Sequence, residues 1–361
     1  MPQAAKPYLT TDKLSSAKRI LYMSHLALGD YVYQGALLKQ LHDDYPHLSI
    51  DVWFDDCRES PKEWAAGRNH ILSQWLEHEP HIDQLYPIAH NKAERKKAIE
   101  RARASGYDAV VFFTTLRSHR FAAIALTIAD GKPVFGAHET EVLRRIRHRK
   151  LFSRLAGQVL LSPSENFSHI SQFYHHYFEQ LLAFRHPPSD YLRITVPPPY
   201  QAQARQWKQQ HADGKPLVLL NHLSTTAKRD WRLSQVTGFI AQLQQQVAGV
   251  HVVINALEHQ HDEIQTALKA HGLESDTSLF CATEHFLELP AMLEQADLVV
   301  SVETAIMHLA ASVSTPCISL VREQAAQWFP LGPGKVLIAG NRVDTIAPAM
   351  VTRAAVSLLR G

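Results

Sequence analysis

The chain has little of what would place it in several large classes. Three cysteines in 361 residues, Cys57, Cys281 and Cys317, are odd in number and widely spaced. That excludes a disulfide framework and offers no zinc-ligand pattern. No apolar run approaches the ~18 residues needed to cross a bilayer; the longest, near Ala109–Phe113 and Phe121–Ala129, are of core size. The opening MPQAAKPYLTTDKLSSAKRI has no signal-type apolar stretch, so the expectation is a cytoplasmic protein. No G-x-G-x-x-G follows the first strand, which argues against a dinucleotide-dependent dehydrogenase. The 22 histidines, His175-His176 included, show no ligand spacing, and Asp55-Asp56, adjacent on a strand end, point apart. No metal site is expected. Nucleic acid is not an expected partner either, because no reader motif accompanies the positive charge.

What the sequence does have is regular alternation. Strands are expected at Arg19–Ser24, Ser49–Phe54, Gln84–Ile88, Asp108–Phe113 and Lys132–Gly136. Helices over Tyr31–Asp44, Pro61–Glu77, Asn91–Ser105 and Arg117–Ala129 separate them, and Ser162–Ala183 reads as a further helix. Pro187-Pro188 and Pro197-Pro198-Pro199 then break the rhythm. It restarts with strands at Leu217–Leu220, His251–Asn255, Thr277–Phe280, Leu298–Val300 and Pro316–Leu320. The intervening helices are expected at Arg232–Val247, Gln260–His271, Phe286–Gln295 and Thr304–Ala311, with a last helix over Thr345–Leu359 that could pack on either half. The division expected is a domain over 1–185, a Pro-rich linker over 186–199 and a second domain over 200–361. Each is a parallel α/β sheet, with its loops at the strands' carboxyl ends facing a shared cleft.

Candidate site residues fall after three strands. In Ser24–Asp30, Gly29 permits a tight turn, and Asp30 is either a general base or a helix cap. In Asn221–Trp231, Ser224, Thr225 and Thr226 offer hydroxyls, and Lys228 and Arg229 offer charge for a diphosphate; the alternative is a solvated loop. In Asp297–Leu320, Thr304 stands at a helix start whose N–H groups suit a diphosphate, and Glu303 suits a ribose hydroxyl; the alternative is plain capping with His308 in the core. Net charge is only +2, yet basic residues gather in Lys92–Arg103 and Arg144–Arg154. Acids interleave with the first run, which reads as a solvated helix face. None occur in the second, which marks Arg144, Arg145 and Arg149 for an anionic partner: an acidic sugar, a phosphorylated glycolipid or a membrane surface.

SHLALGDYVYQGALLKQL, KAERKKAIERARASGYDAVVF, STTAKRDW and SVETAIMHLAASVSTP, in this order from about Arg19 to Ala339, resemble glycosyltransferase family 9, the ADP-heptose:lipopolysaccharide heptosyltransferases. The resemblance implies a GT-B fold of two Rossmann-like domains. It further implies inverting, metal-independent transfer from a nucleotide sugar such as ADP-heptose, with no cofactor. The implied acceptor is an acidic glycolipid of the Kdo–lipid A type, met at the cytoplasmic face of the inner membrane. By the family's pattern, Asp30 falls on the base and Lys228 or Arg229 on the cation facing the diphosphate, while Glu303, Thr304, Ala305 and His308 fall on the donor motif. Two departures mark the donor pocket: Glu303-Thr304-Ala305 stands where relatives usually carry Asp-Thr-Gly or Asp-Ser-Gly, and Val321-Arg322-Glu323 where they usually carry Gly-Pro-Thr. Other readings are a family member using a different nucleotide sugar and a non-catalytic nucleotide-sugar or glycan binder on the same fold.

Overall fold

A computed structural model describes residues 6–59, 62–139, 141–162 and 167–360. Pro61 and residues 163–166, at the starts of two expected helices, lie outside the described residues. The chain divides into two compact units, Met1–Leu192 and Arg193–Gly361.

The first unit holds strands β1 (Arg19–Ser24), β2 (Ser49–Trp53), β3 (Leu85–Tyr86), β4 (Ala109–Thr114), β5 (Val134–His138) and β6 (Gly157–Leu160). All pair in parallel in the order β3-β2-β1-β4-β5-β6. Strands covered on both faces must be apolar throughout, and all six residues of β4 are buried. Phe112, Phe121, Ala125, Ile128 and Phe152 build the core on one face.

The second unit repeats the plan with β7 (Leu217–Asn221), β8 (His251–Asn255), β9 (Thr277–Phe280), β10 (Leu298–Val302), β11 (Cys317–Arg322) and β12 (Gly334–Ala339). Their order is β12-β11-β10-β7-β8-β9, again all parallel. Counted from its own first strand, this is the same doubly wound sequence. In such sheets the crevice lies where strand order reverses, between β1 and β4 in one unit and β7 and β10 in the other. The last helix, Pro348–Leu359, belongs to the second unit. Val351, Ala354 and Ala355 enter its core, and the Thr352 hydroxyl donates to Gln242 at 3.3 Å.

Three local expectations are corrected. The helix expected from Tyr31 starts earlier, at Leu28, so Gly29 and Asp30 lie in its first turn and Gly29 makes no tight turn. Pro198 and Pro199 do not belong to an irregular stretch; they open a helix, Pro198–Ala212, where fixed φ suits the first turn. Strands β6 and β12, both at sheet edges, are additions to the expected set; two of the four β6 residues are exposed, while β12 carries the apolar run Val336-Leu337-Ile338-Ala339.

Candidate active site

In the first unit, the chain leaves β1 at Ser24 and enters the helix Leu28–Asp44 through Ala27, the N-cap. Asp30 closes the cap from the third helical position: its Oδ2 accepts from the Ala27 N–H at 3.1 Å. Its Oδ1 accepts from the Tyr174 hydroxyl at 2.8 Å, which arrives on the helix Ile170–Leu181. Burial raises the carboxyl above its ordinary pKa, opposed by these two hydrogen bonds and by the nearby Arg68 cation. Asp30 is thus both a capping group and a fixed, basic carboxylate at the switch point. Beside it, His25 meets Arg68 Nη2 at 3.0 Å. Burial, with Arg68 and Arg117 adding to it, lowers that imidazole to about 4, so it is neutral near pH 7.

Just after β2 come Asp55-Asp56-Cys57, whose two carboxylates are buried and serve as counter-ions. Asp55 holds Arg95 bidentately, at 2.7 and 3.1 Å. Asp56 holds the Arg58 Nε–H, and its carbonyl accepts from Arg117 Nε at 2.6 Å. No group of three or more metal-ligating side chains occurs among the described residues. Arg58 and Arg117 border a cavity of about 640 Å³. Arg58, Lys62, Arg117, Arg120, Arg144 and Arg147 line it against one carboxylate, Glu59, which Arg120 already pairs at 3.1 Å. A field of this sign in a partly enclosed space concentrates anions. Of the three arginines expected to meet an anionic partner, Arg144 lines the cavity; Arg145 and Arg149 are exposed and outside its lining.

In the second unit, Thr304 is the N-cap of the helix Ala305–Ser312, its hydroxyl accepting from the Ile306 N–H at 3.3 Å. Asn221, at the end of β7, spans the switch point: its Nδ2 lies 3.3 Å from both Ser301 Oγ and Thr304 Oγ1. Asn255 at the end of β8 donates to Asn221 Oδ1 at 3.1 Å. These bonds fix a helix start whose remaining first-turn N–H groups favour an anion. Ala305, half-buried, is the first helical residue, and buried His308 sits edge-on to Trp328.

The loop after β7 is stapled by Ser224, whose N–H and hydroxyl both donate to Asp230 Oδ1 at 2.7 Å. Ser224 therefore shapes the loop, while Thr225 and Thr226 meet Arg229 Nη2 and Nε at 2.7 and 3.1 Å. The Arg229 guanidinium is 3.9 Å from Glu303 and so lies toward the Thr304 helix start. Lys228 is exposed, and its carbonyl accepts from the Val343 N–H at 3.0 Å. Glu303 is buried, and Arg322 grips it with Nε at 2.9 Å and Nη2 at 2.8 Å.

Arg322, Tyr174, Arg68 and Arg117 were not singled out as site residues from sequence. For Arg322 the signal in the sequence is the departure Val321-Arg322-Glu323 at the donor motif, and the structure accounts for it. Parallel pairing sets Val302 beside Leu320, which carries the β11 end to the residues after β10.

Two doubly wound parallel sheets, each with polar residues at its switch point, define the architecture of a GT-B-like glycosyltransferase. The family model for glycosyltransferase family 9 (heptosyltransferase) matches residues 138–346, more than half of the chain, and the protein belongs to that family. A family 9 glycosyltransferase from Veillonella parvula superposes with a TM-score of 0.75 at 17% identity, over 95% of this chain and 97% of that one. E. coli ADP-heptose lps heptosyltransferase II gives 0.70 at 17%, over 95% and 98%. E. coli heptosyltransferase WaaC with ADP gives 0.66 at 16%, over 94% and 99%. No match was found among curated protein sequences.

Proposed function

We propose that the enzyme transfers a heptose from ADP-heptose, with inversion and without a metal, onto an acidic inner-core lipopolysaccharide acceptor at the cytoplasmic face of the inner membrane. An acceptor hydroxyl loses its proton to Asp30 and forms a bond to the anomeric carbon as the bond from that carbon to the diphosphate oxygen breaks. Arg229 and the Thr304 helix start take up the charge on the departing nucleoside diphosphate, the place a divalent cation would otherwise fill. Carboxylates of the acceptor occupy the basic cavity of Arg120 and Arg144. The reading is supported by the second unit's switch point, where Arg229 lies toward a capped helix start, an arrangement suited to an anion. The ADP and ADP-2-deoxy-2-fluoro heptose in the WaaC structures are consistent with an adenine nucleotide donor.

The direct test is thermal denaturation with a panel of nucleoside diphosphates. At a hundred times Kd a bound ligand adds about 2.7 kcal/mol of stability, so ADP should shift the midpoint more than UDP or GDP. No shift with any of them removes the reading. A second measurement concerns the donor motif. Ala305 adds a methyl group at the helix start, and Glu303 is one methylene longer than the aspartate usual in the family. The double change Glu303→Asp with Ala305→Gly is expected to improve use of ADP-heptose over wild type. If wild type already uses it efficiently and the variant gains nothing, the two departures at the donor motif are neutral variation.

The acceptor assignment predicts that Arg120→Ser or Arg144→Ser raises KM for the acceptor while ADP affinity holds. The effect should shrink between low and high salt, as the screening length falls from ~10 Å at 0.1 M to ~3 Å at 1 M. Equal loss of donor affinity would show that the cavity serves something else.

A further inference from the structure

The short helix Val142–Arg147 carries the largest concentration of exposed apolar side chains among the described residues: Val142 is 61% exposed, Leu143 80% and Ile146 62%. Exposed large apolar residues scattered singly need no explanation, but three on one turn mark an interaction surface. At ~100° per residue Val142, Ile146 and Leu143 fall within one ~100° arc. Arg145 lies on one flank of that arc, and Arg147, which lines the basic cavity, on the other. The chain continues through Arg149, Lys150 and Arg154, all exposed, and no acid occurs between 142 and 154. The segment is anchored behind by Phe152, buried and stacked on His138 with ring centroids 4.7 Å apart. It is therefore a fixed feature of the first unit.

We propose that this element docks on an anionic bilayer, Leu143, Ile146 and Val142 entering the headgroup–acyl boundary while Arg145, Arg149 and Lys150 pair with lipid phosphates. Charge complementarity selects the occupant. A protein partner of ordinary composition would leave Arg145, Arg149 and Lys150 uncompensated around the apolar arc, whereas a headgroup layer supplies negative charge on every side of a shallow apolar insertion. At six residues the helix is ~9 Å long and enters only the interface. The docking separates two jobs within one basic run. Arg144 and Arg147 turn into the cavity, and Arg145 and Arg149, outside it, face the lipid. The inference rests on the proposed reading only for the source of the bilayer.

The test is sedimentation of the full chain with vesicles of equimolar phosphatidylcholine and phosphatidylglycerol, and with phosphatidylcholine alone, without sugar donor or acceptor. Wild type should bind the anionic vesicles and bind the neutral ones weakly. Leu143→Gln with Ile146→Gln should lower vesicle affinity about tenfold, the loss expected when part of two apolar side chains' burial is removed. Its thermal midpoint should be unchanged, because both side chains are exposed. Arg145→Ser with Arg149→Ser should weaken binding at low salt and match wild type at high salt. Wild type that stays in solution with anionic vesicles overturns the proposal, as does a Leu143, Ile146 variant that binds like wild type. So does a concentration-dependent dimer of wild type that the same variant abolishes, because a second copy then covers the arc. Since no transfer reaction is measured, a wrong donor or acceptor leaves this result standing, and a failure here leaves the nucleotide titration intact.

Discussion

Asp30→Asn is expected to reduce turnover by roughly 10²–10⁴-fold, the usual range for loss of a general base, while leaving ADP affinity near wild type. The substitution is mild for the fold. The amide can still accept one of the two hydrogen bonds from Ala27 and Tyr174, so the stability cost should be about 1 kcal/mol. The two jobs of this side chain separate cleanly, because asparagine serves as a capping partner but not as a base. Near-normal turnover would leave Asp30 as a cap and nothing more. The pH profile adds a second reading. Catalysis needs the ionised carboxylate, so the rate should fall as pH drops through a pKa that burial has raised. Tyr174 donates to the ionised form and lowers that pKa. Tyr174→Phe should therefore move the acidic limb upward in pH, a displacement that a purely structural role for Tyr174 would not produce.

Arg229→Ala should cost on the order of 2–4 kcal/mol in the barrier for transfer, the scale of losing one group that stabilises developing negative charge. It should also weaken binding of ADP but not of adenosine. Lys228→Ala should do much less. The two are neighbours in sequence, but Arg229 is steered by Thr225 and Thr226 toward Glu303 and the Thr304 helix start, and Lys228 is exposed on the same loop. Arg229→Lys should recover only part of the loss, because an ammonium cannot reproduce the two fixed contacts to the threonines. Small and equal effects from both alanine variants would mean that the loop is solvated and the leaving group is stabilised elsewhere.

The central strands were legible because they are buried on both faces. The expected bounds of Arg19–Ser24 and His251–Asn255 coincide with β1 and β8, and the apolar runs of β4, β7 and β10 could be read directly. Strand β6 was not, because only two of its four residues are buried, and the apolar run 336–339 of β12 is a signal that went unread. The Gln-rich helix Pro198–Ala212 buries few residues and offers no apolar stripe to read. At the candidate site, Thr304 as a helix start was visible in the step from an apolar strand through Glu303-Thr304 to an apolar helix. The distinction between Arg144 and Arg145 was not. In a helix of six residues the facing of each side chain is set by the anchors at its ends, here Phe152. Tyr174 and Arg68 reach the neighbourhood of Asp30 from helices 144 and 38 residues away in sequence, and no local pattern records such a meeting.

Glu303 and Arg322 are held to each other by two short contacts in a nearly dry place, with side chains 10% and 15% exposed. Taking away Glu303 leaves the Arg322 charge without its partner, a loss of about 3–5 kcal/mol against a total stability of ordinarily 5–15 kcal/mol, whereas taking away Arg322 leaves Glu303 with Arg229 alone, at 3.9 Å. The two positions are therefore coupled, and the two departures from the family pattern meet in one ion pair. Reversion is constrained in the same way. Among homologues of this chain, glutamate after β10 and arginine at the end of β11 are expected to be found together or not at all.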